Sequence, residues 1–230
     1  NNSTGGTRRP IDGTAMIVHH SLRIMITTSF LQRICRALLL LTLACLALQG
    51  CGRKVGYSAV PKGAVVLAFG DSLTFGTGAS REEAYPAVLE RLISRKVVGA
   101  GVPGETSEEG LRRLPGVLEE VKPQLLVLCH GGNDFLRKMG EESAAANVRE
   151  MIRLAQSRGI AVVLVATPKP GFGTSKVKFY EEIGKELAIP VENDILADVL
   201  GSRSLKSDLV HPNAKGYEKI AEAVAELLED

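Results

Sequence analysis

The sequence predicts one three-layer α/β domain around a central parallel sheet, and two observations carry that prediction. From Ala64 onward, short runs that are apolar at nearly every position alternate with longer amphipathic stretches. The runs recur roughly every thirty residues, the spacing of right-handed βαβ units whose strands are covered by helices on both faces.

Each element has its own pattern. Residues 64–69, 97–100, 125–129 and 160–166 read as strands buried on both faces, and a weaker fifth strand lies near 189–191. Residues 107–121 put Leu111, Leu114, Leu118 and Val121 on one helical stripe, behind a capping box of Thr106 and Glu109. Pro115 and Gly116 give this stretch a place to split into two short helices. Residues 143–157 and 176–187 also read as helices. The last helix runs from Ala214 to about Leu228, with Tyr217, Ile220, Ala221, Val224, Leu227 and Leu228 on one face and Asn213 as its N-cap.

The 230 residues are 45% apolar and 23% charged, sufficient for a full globular core. The first fifty residues differ from the rest, with Arg8, Arg9, Arg23, Arg33 and Arg36 against the single acid Asp12. Without them the remaining 23 basic and 25 acidic residues turn the net charge of +2 into −2. No basic surface then argues for nucleic acid as a partner.

In residues 25–50, Arg33 and Arg36 precede a run from 37 to 48 that is apolar except for Thr42. That is the layout of a secretory signal, too short to span a bilayer comfortably. Leu48-Gln49-Gly50-Cys51 resembles a bacterial lipobox, which makes Cys51 the expected lipidated N-terminus of an exported cell-envelope protein. Cleaved secretion without lipid and an uncleaved anchor are the alternatives. Contact with a membrane is expected only through that anchor. Residues 1–24 are set aside as a non-native or untranslated leader, and residues 51–61 as a tether to a folded domain of residues 62–230. Cys35 and Cys45 fall inside the signal, so Cys129 is left as a lone buried thiol without a disulfide partner.

Open parallel sheets place ligand sites beyond the carboxyl ends of their strands, so the residues just past each strand matter most. Strand one runs into Gly70-Asp71-Ser72, strand two into Val102-Pro103-Gly104, and strand three into His130-Gly131-Gly132-Asn133-Asp134. Ser207-Asp208-Leu209-Val210-His211-Pro212 stands before the final helix. A serine hydroxyl needs a base to take its proton, and only His130 and His211 lie outside the signal and leader. Asp208 precedes His211 by three residues, close enough in a turn to hold one imidazole nitrogen protonated while the other faces Ser72. His130 has no such neighbour in sequence and reads as a satisfied strand-end histidine. Asp71, Gly70, Gly76 and Gly131 read as loop-shaping residues.

Taken together, these four segments resemble the ordered blocks of the GDSL or SGNH hydrolase family, over about residues 62–230. The resemblance is nearest to the bacterial periplasmic enzymes described as acyl-CoA thioesterase, lysophospholipase and arylesterase. It implies a flavodoxin-like three-layer α/β/α fold and a serine esterase or thioesterase acting on small-molecule esters. It also implies Ser72 as nucleophile, Asp208 and His211 as the catalytic pair, and an oxyanion hole of Ser72 N–H, Gly104 N–H and the Asn133 amide. Phe135, Leu136, Met139 and Phe172 are the expected acyl-side residues. Two rivals stand beside this reading: a carbohydrate O-deacetylase of the same family, and a lipoprotein that binds acyl chains or glycans without turnover.

Other motifs are missing. Thr74 stands two residues after Ser72, so there is no G-x-S-x-G elbow. Arg81 replaces the third glycine after Gly76 and Gly78, and no phosphate-loop lysine motif occurs. No His or Cys pairs stand at metal-ligand spacing, and no cofactor is implied.

Overall fold

Val66, Leu67, Ala68 and Phe69 are all sealed from solvent, because strand β1 (Val65–Gly70) lies at the middle of the molecule with helices on both sides. The computed structural model describes residues 61, 63–169 and 175–229. The signal segment, Cys51, the leader and Phe172 lie outside the described residues.

Strands β1, β2 (Lys96–Gly101), β3 (Leu125–Cys129), β4 (Ala161–Val165) and β5 (Val191–Glu192) form one parallel sheet in the order β2-β1-β3-β4-β5. Alternation within β1 divides the core. Val66 and Ala68 pack with Leu125 and Val127 against helices α2 (Tyr85–Ile93), α7 (Ile195–Gly201) and α8 (Ala214–Glu229). Leu67 and Phe69 pack with Leu126 and Leu128 against α3 (Ser107–Val121), α5 (Glu141–Ser157) and α6 (Lys178–Leu187). The result is the three-layer flavodoxin-like order, and the short helices α1 (Ser72–Phe75) and α4 (Gly132–Leu136) come directly after β1 and β3.

Strand β2 and helices α3 and α2 differ from the sequence reading. Strand β2 is an edge strand with one neighbour, so its side chains are exposed or half-buried and not covered on both faces. Helix α3 runs unbroken through Pro115, since Leu114 and Leu118 anchor it to the core on either side of the ring. Helix α2 is not singled out by the sequence pattern, although Pro86 near its start and the buried Val88, Leu89 and Ile93 mark it.

The caps agree with their sequence signals. Thr106 and Glu109 close the capping box of α3, and Asn213 Oδ1 accepts the Gly216 N–H at 3.1 Å at the start of α8. From β1 the chain crosses to β2 on one side, while β3 pairs with β1 on the other. That reversal opens a crevice beyond the carboxyl ends of β1 and β3, where ligands of open parallel sheets bind.

Candidate active site

Three loops meet in that crevice. Gly70 ends β1 at the point where a Cβ would overlap the Cys129 carbonyl and the Thr74 hydroxyl, so the chain turns there without a side chain. Asp71 then caps α1 by accepting the Leu73 N–H at 3.0 Å, and Ser72 becomes the first helical residue. Its N–H therefore has no acceptor within the helix.

Opposite stands a loop closed on itself. Lys206 bridges Pro212, and Asp208 Oδ1 accepts both the Val210 and His211 N–H groups at 2.8 Å. This turn brings Asp208 Oδ2 to 2.7 Å from His211 Nδ1, while His211 Nε2 lies 3.1 Å from Ser72 Oγ. Since the carboxylate can only accept, Nδ1 carries a proton and Nε2 is left to accept from the serine. Partial burial raises the Asp208 carboxyl, but the bonds from His211 and Val210 outweigh it and hold the group below its ordinary range. The acid stays ionised beside the ring.

The third loop supplies donors. Gly104 adopts φ +80°, a conformation that side chains rarely take, and its N–H has no acceptor among the described residues. Its carbonyl accepts from Arg137 Nη2 at 2.6 Å, which ties this loop to the end of α4. The Asn133 amide donates to Asp71 Oδ2 at 3.1 Å and to the Glu105 carbonyl at 3.0 Å. Both amide hydrogens thus have acceptors without substrate, and contact with an oxyanion requires one of them to be shared.

A buried polar network lies behind these donors, and sequence reasoning missed it. Glu105 is held by both ends of the Arg113 guanidinium at 2.6 Å and by His130 Nε2 at 3.1 Å. Burial opposes ionisation of Glu105, but Arg113 and His130 overcome it and push the carboxyl down to about 2. His130 therefore does have an acidic partner, from the loop after β2, where the sequence reading expects none. Its Nδ1 is buried without one. The Asp134 carboxylate accepts the Ser107 N–H at 2.8 Å and the Ser107 hydroxyl at 2.6 Å, docking α3 onto α4. No local signal links Glu105 to Arg113 and His130, because the three residues come from different strand ends and helix turns.

Above Ser72 opens a cleft of about 1070 Å³, whose walls include Leu136, Pro168, Leu200, Leu209 and Val210. Leu136 thus lies in the cleft wall. Phe135 does not: it packs against Phe179, centroids 6.2 Å apart, because adjacent positions on a helix point about 100° apart. Met139 is exposed and lies outside the cleft wall. Among the described residues, no cluster of His, Cys, Asp or Glu could hold a metal ion.

A serine, a histidine and a carboxylate bonded in series, beside free N–H donors and an apolar cleft, define a hydrolase type of site. Residues 68–219 match the model of the GDSL-like lipase/acylhydrolase family, and the chain belongs to that family as a hydrolase of ester bonds. It is 28% identical over 192 residues to Esterase TesA of Pseudomonas aeruginosa, covering 78% of this chain and 94% of that protein. It is also 28% identical over 172 residues to the Escherichia coli K12 protein named thioesterase 1/protease 1/lysophospholipase L1, covering 71% and 83%. The crystal structure of TesA superposes with a TM-score of 0.66 at 27% identity, over 72% of this chain and 98% of that one.

Proposed function

We propose that the protein hydrolyses carboxylic esters or thioesters through an acyl-Ser72 intermediate. The observation that carries this reading is the unbroken series Asp208 Oδ2, His211 and Ser72 Oγ, at 2.7 and 3.1 Å. Ser72 Oγ attacks the carbonyl carbon as its proton passes to His211 Nε2. The tetrahedral oxyanion faces the Ser72 and Gly104 N–H groups and the Asn133 amide, and preset donors of this kind each contribute about 3 kcal/mol. Collapse breaks the bond to the alkoxide or thiolate, which takes the His211 proton. Water then attacks the acyl-enzyme with His211 as base, the acid leaves, and Ser72 regains its proton.

Leu73, Leu136, Leu200, Leu209 and Val210 give the cleft apolar wall for an acyl chain, which favours such chains over acetylated sugars because each buried methylene adds up to about 0.8 kcal/mol. kcat/KM is expected to rise from acetyl to medium-chain esters. Export by the signal of residues 25–50, with lipid at Cys51, is the accompanying proposal. The test is mass spectrometry after a fluorophosphonate, run beside a p-nitrophenyl ester series. A single adduct on Ser72 with loss of turnover is expected; an active enzyme labelled elsewhere overturns the mechanism.

A further inference from the structure

Cations outnumber acids among the residues that line the cleft. Its cations are Lys169, Arg203 and Lys206, and its one acid, Asp71, is buried behind Ser72. Lys169 is engaged in an ion pair with Glu141. Across the cleft, Arg137 is occupied by the Gly104 carbonyl. Arg203 and Lys206 have no ion-pair or hydrogen-bond partner for their side chains among the described residues.

Their place in the fold gives them a side of the reaction. Arg203 opens the 3-10 turn Arg203–Leu205 after α7, and Lys206 pairs with Pro212 in the same loop that carries Asp208 and His211. Asn213 fastens this loop by donating from its side chain to the Ser204 carbonyl at 2.9 Å. The departing alcohol or thiol must lie within reach of His211 Nε2 to take its proton, hence on the wall that Arg203 and Lys206 share. The oxyanion donors and Leu136 occupy the opposite side.

We infer that Arg203 and Lys206 form a leaving-group subsite for an anion of the phosphate or carboxylate class, making an acyl ester with a negatively charged leaving group the preferred substrate. This rests on the ester-hydrolase reading above. Two unpaired cations flanking a low-dielectric cleft focus the field onto an incoming anion, and salt weakens that attraction. Leu209, 86% exposed at the same rim, gives the arriving amphiphile an apolar contact beside the charges.

A matched pair tests the subsite: 4-(octanoyloxy)benzoate against its methyl ester, which differ in charge and little else. The wild type is expected to favour the anionic member, with the preference shrinking as salt rises. In Arg203→Glu/Lys206→Glu the ratio of the two kcat/KM values should fall about five- to thirtyfold. Lys185→Glu/Lys219→Glu, an equal charge change on remote exposed helix faces, should leave the ratio unmoved. Octanoyl-CoA and an octanoyl lysophosphatidylglycerol then separate a soluble phosphate from a lipid headgroup, by which of the two loses more in the double variant. Turnover of both benzoates at equal efficiency, or an unaltered ratio in the double variant, overturns the subsite alone. Absence of turnover on every ester overturns the hydrolase reading together with it.

Discussion

In the proposed mechanism Ser72, His211 and Asp208 act as one unit, because a serine is a weak nucleophile until the ring beside it accepts its proton, and the ring is useful only in the tautomer that the carboxylate fixes. Ser72→Ala or His211→Ala is therefore expected to lower kcat by about 10⁴–10⁶ with folding retained, measured on a p-nitrophenyl ester alongside circular dichroism. Retention of a tenth of the activity would contradict the assignment. Asn133→Ala should lose less, about 10²–10³, since the Ser72 and Gly104 N–H groups remain. Glu105 acts one step further back. Its carbonyl holds Asn133 and its carboxylate is clamped by Arg113 and His130, so Glu105→Gln should lower kcat by up to about 10² with little change in KM. The same residue makes a pH prediction. Its carboxyl falls from 4.5 to about 2 on folding, so the stability it contributes is complete above pH 4.5 and lost as pH falls toward 2. Glu105→Gln should be less stable than wild type at neutral pH and show a shallower loss of stability across that window in urea titrations.

Helix α3 illustrates how one element serves the site from two directions. Its capping box fixes where the Gly104 loop ends, and its first turns present Gly110 to the His130 ring. Two glycine replacements in this helix should have opposite signs. Gly116 is exposed with open space where a Cβ would sit, so Gly116→Ala should stabilise by about 0.5–1 kcal/mol through helix propensity. A Cβ at Gly110 would overlap His130 Nε2, which Glu105 holds in place. Overpacking of about 1–3 kcal/mol exceeds the propensity gain, and Gly110→Ala should be destabilised in thermal melts. Equal shifts in the two variants would mean that the His130 ring yields freely. The loop from Lys206 to Pro212 is a second such element, and its internal hydrogen bonds keep the acid and base in register without help from the sheet.

At the scale of the whole molecule, the strand order matters most. Reversal of the winding between β1 and β3 leaves their carboxyl ends uncovered, and Ser72 and Asn133 stand just beyond those two ends. The described residues from 61 onward cluster into one compact unit, so a chain beginning at Gly52 should fold and hydrolyse esters as well as the full-length protein. Processing and acylation at Cys51 should change only its partition with membranes, read by mass spectrometry of the mature N-terminus. A shortened chain that unfolds would show that the preceding residues contribute to the core.

The layered fold and the identity of the four polar segments were legible in the amino-acid order alone. Apolar runs such as 125–129 have to be buried on both faces, and Asp208 and His211 are near enough in the chain for their pairing to be a local matter. Local chemistry also marked the Thr106–Glu109 and Asn213 caps, each of which spans three residues. Packing in three dimensions settled the rest. Glu105 meets His130 across 25 residues and Asn133 meets Asp71 across 62, contacts that exist only once β1, β2 and β3 lie side by side. Whether Phe135 or Leu136 faced the cleft depended on the rotation of a five-residue helix, and whether Pro115 broke α3 depended on Leu114 and Leu118 finding the core. A sequence pattern reports which residues must leave water, whereas partners distant along the chain are chosen by the packing that brings them there.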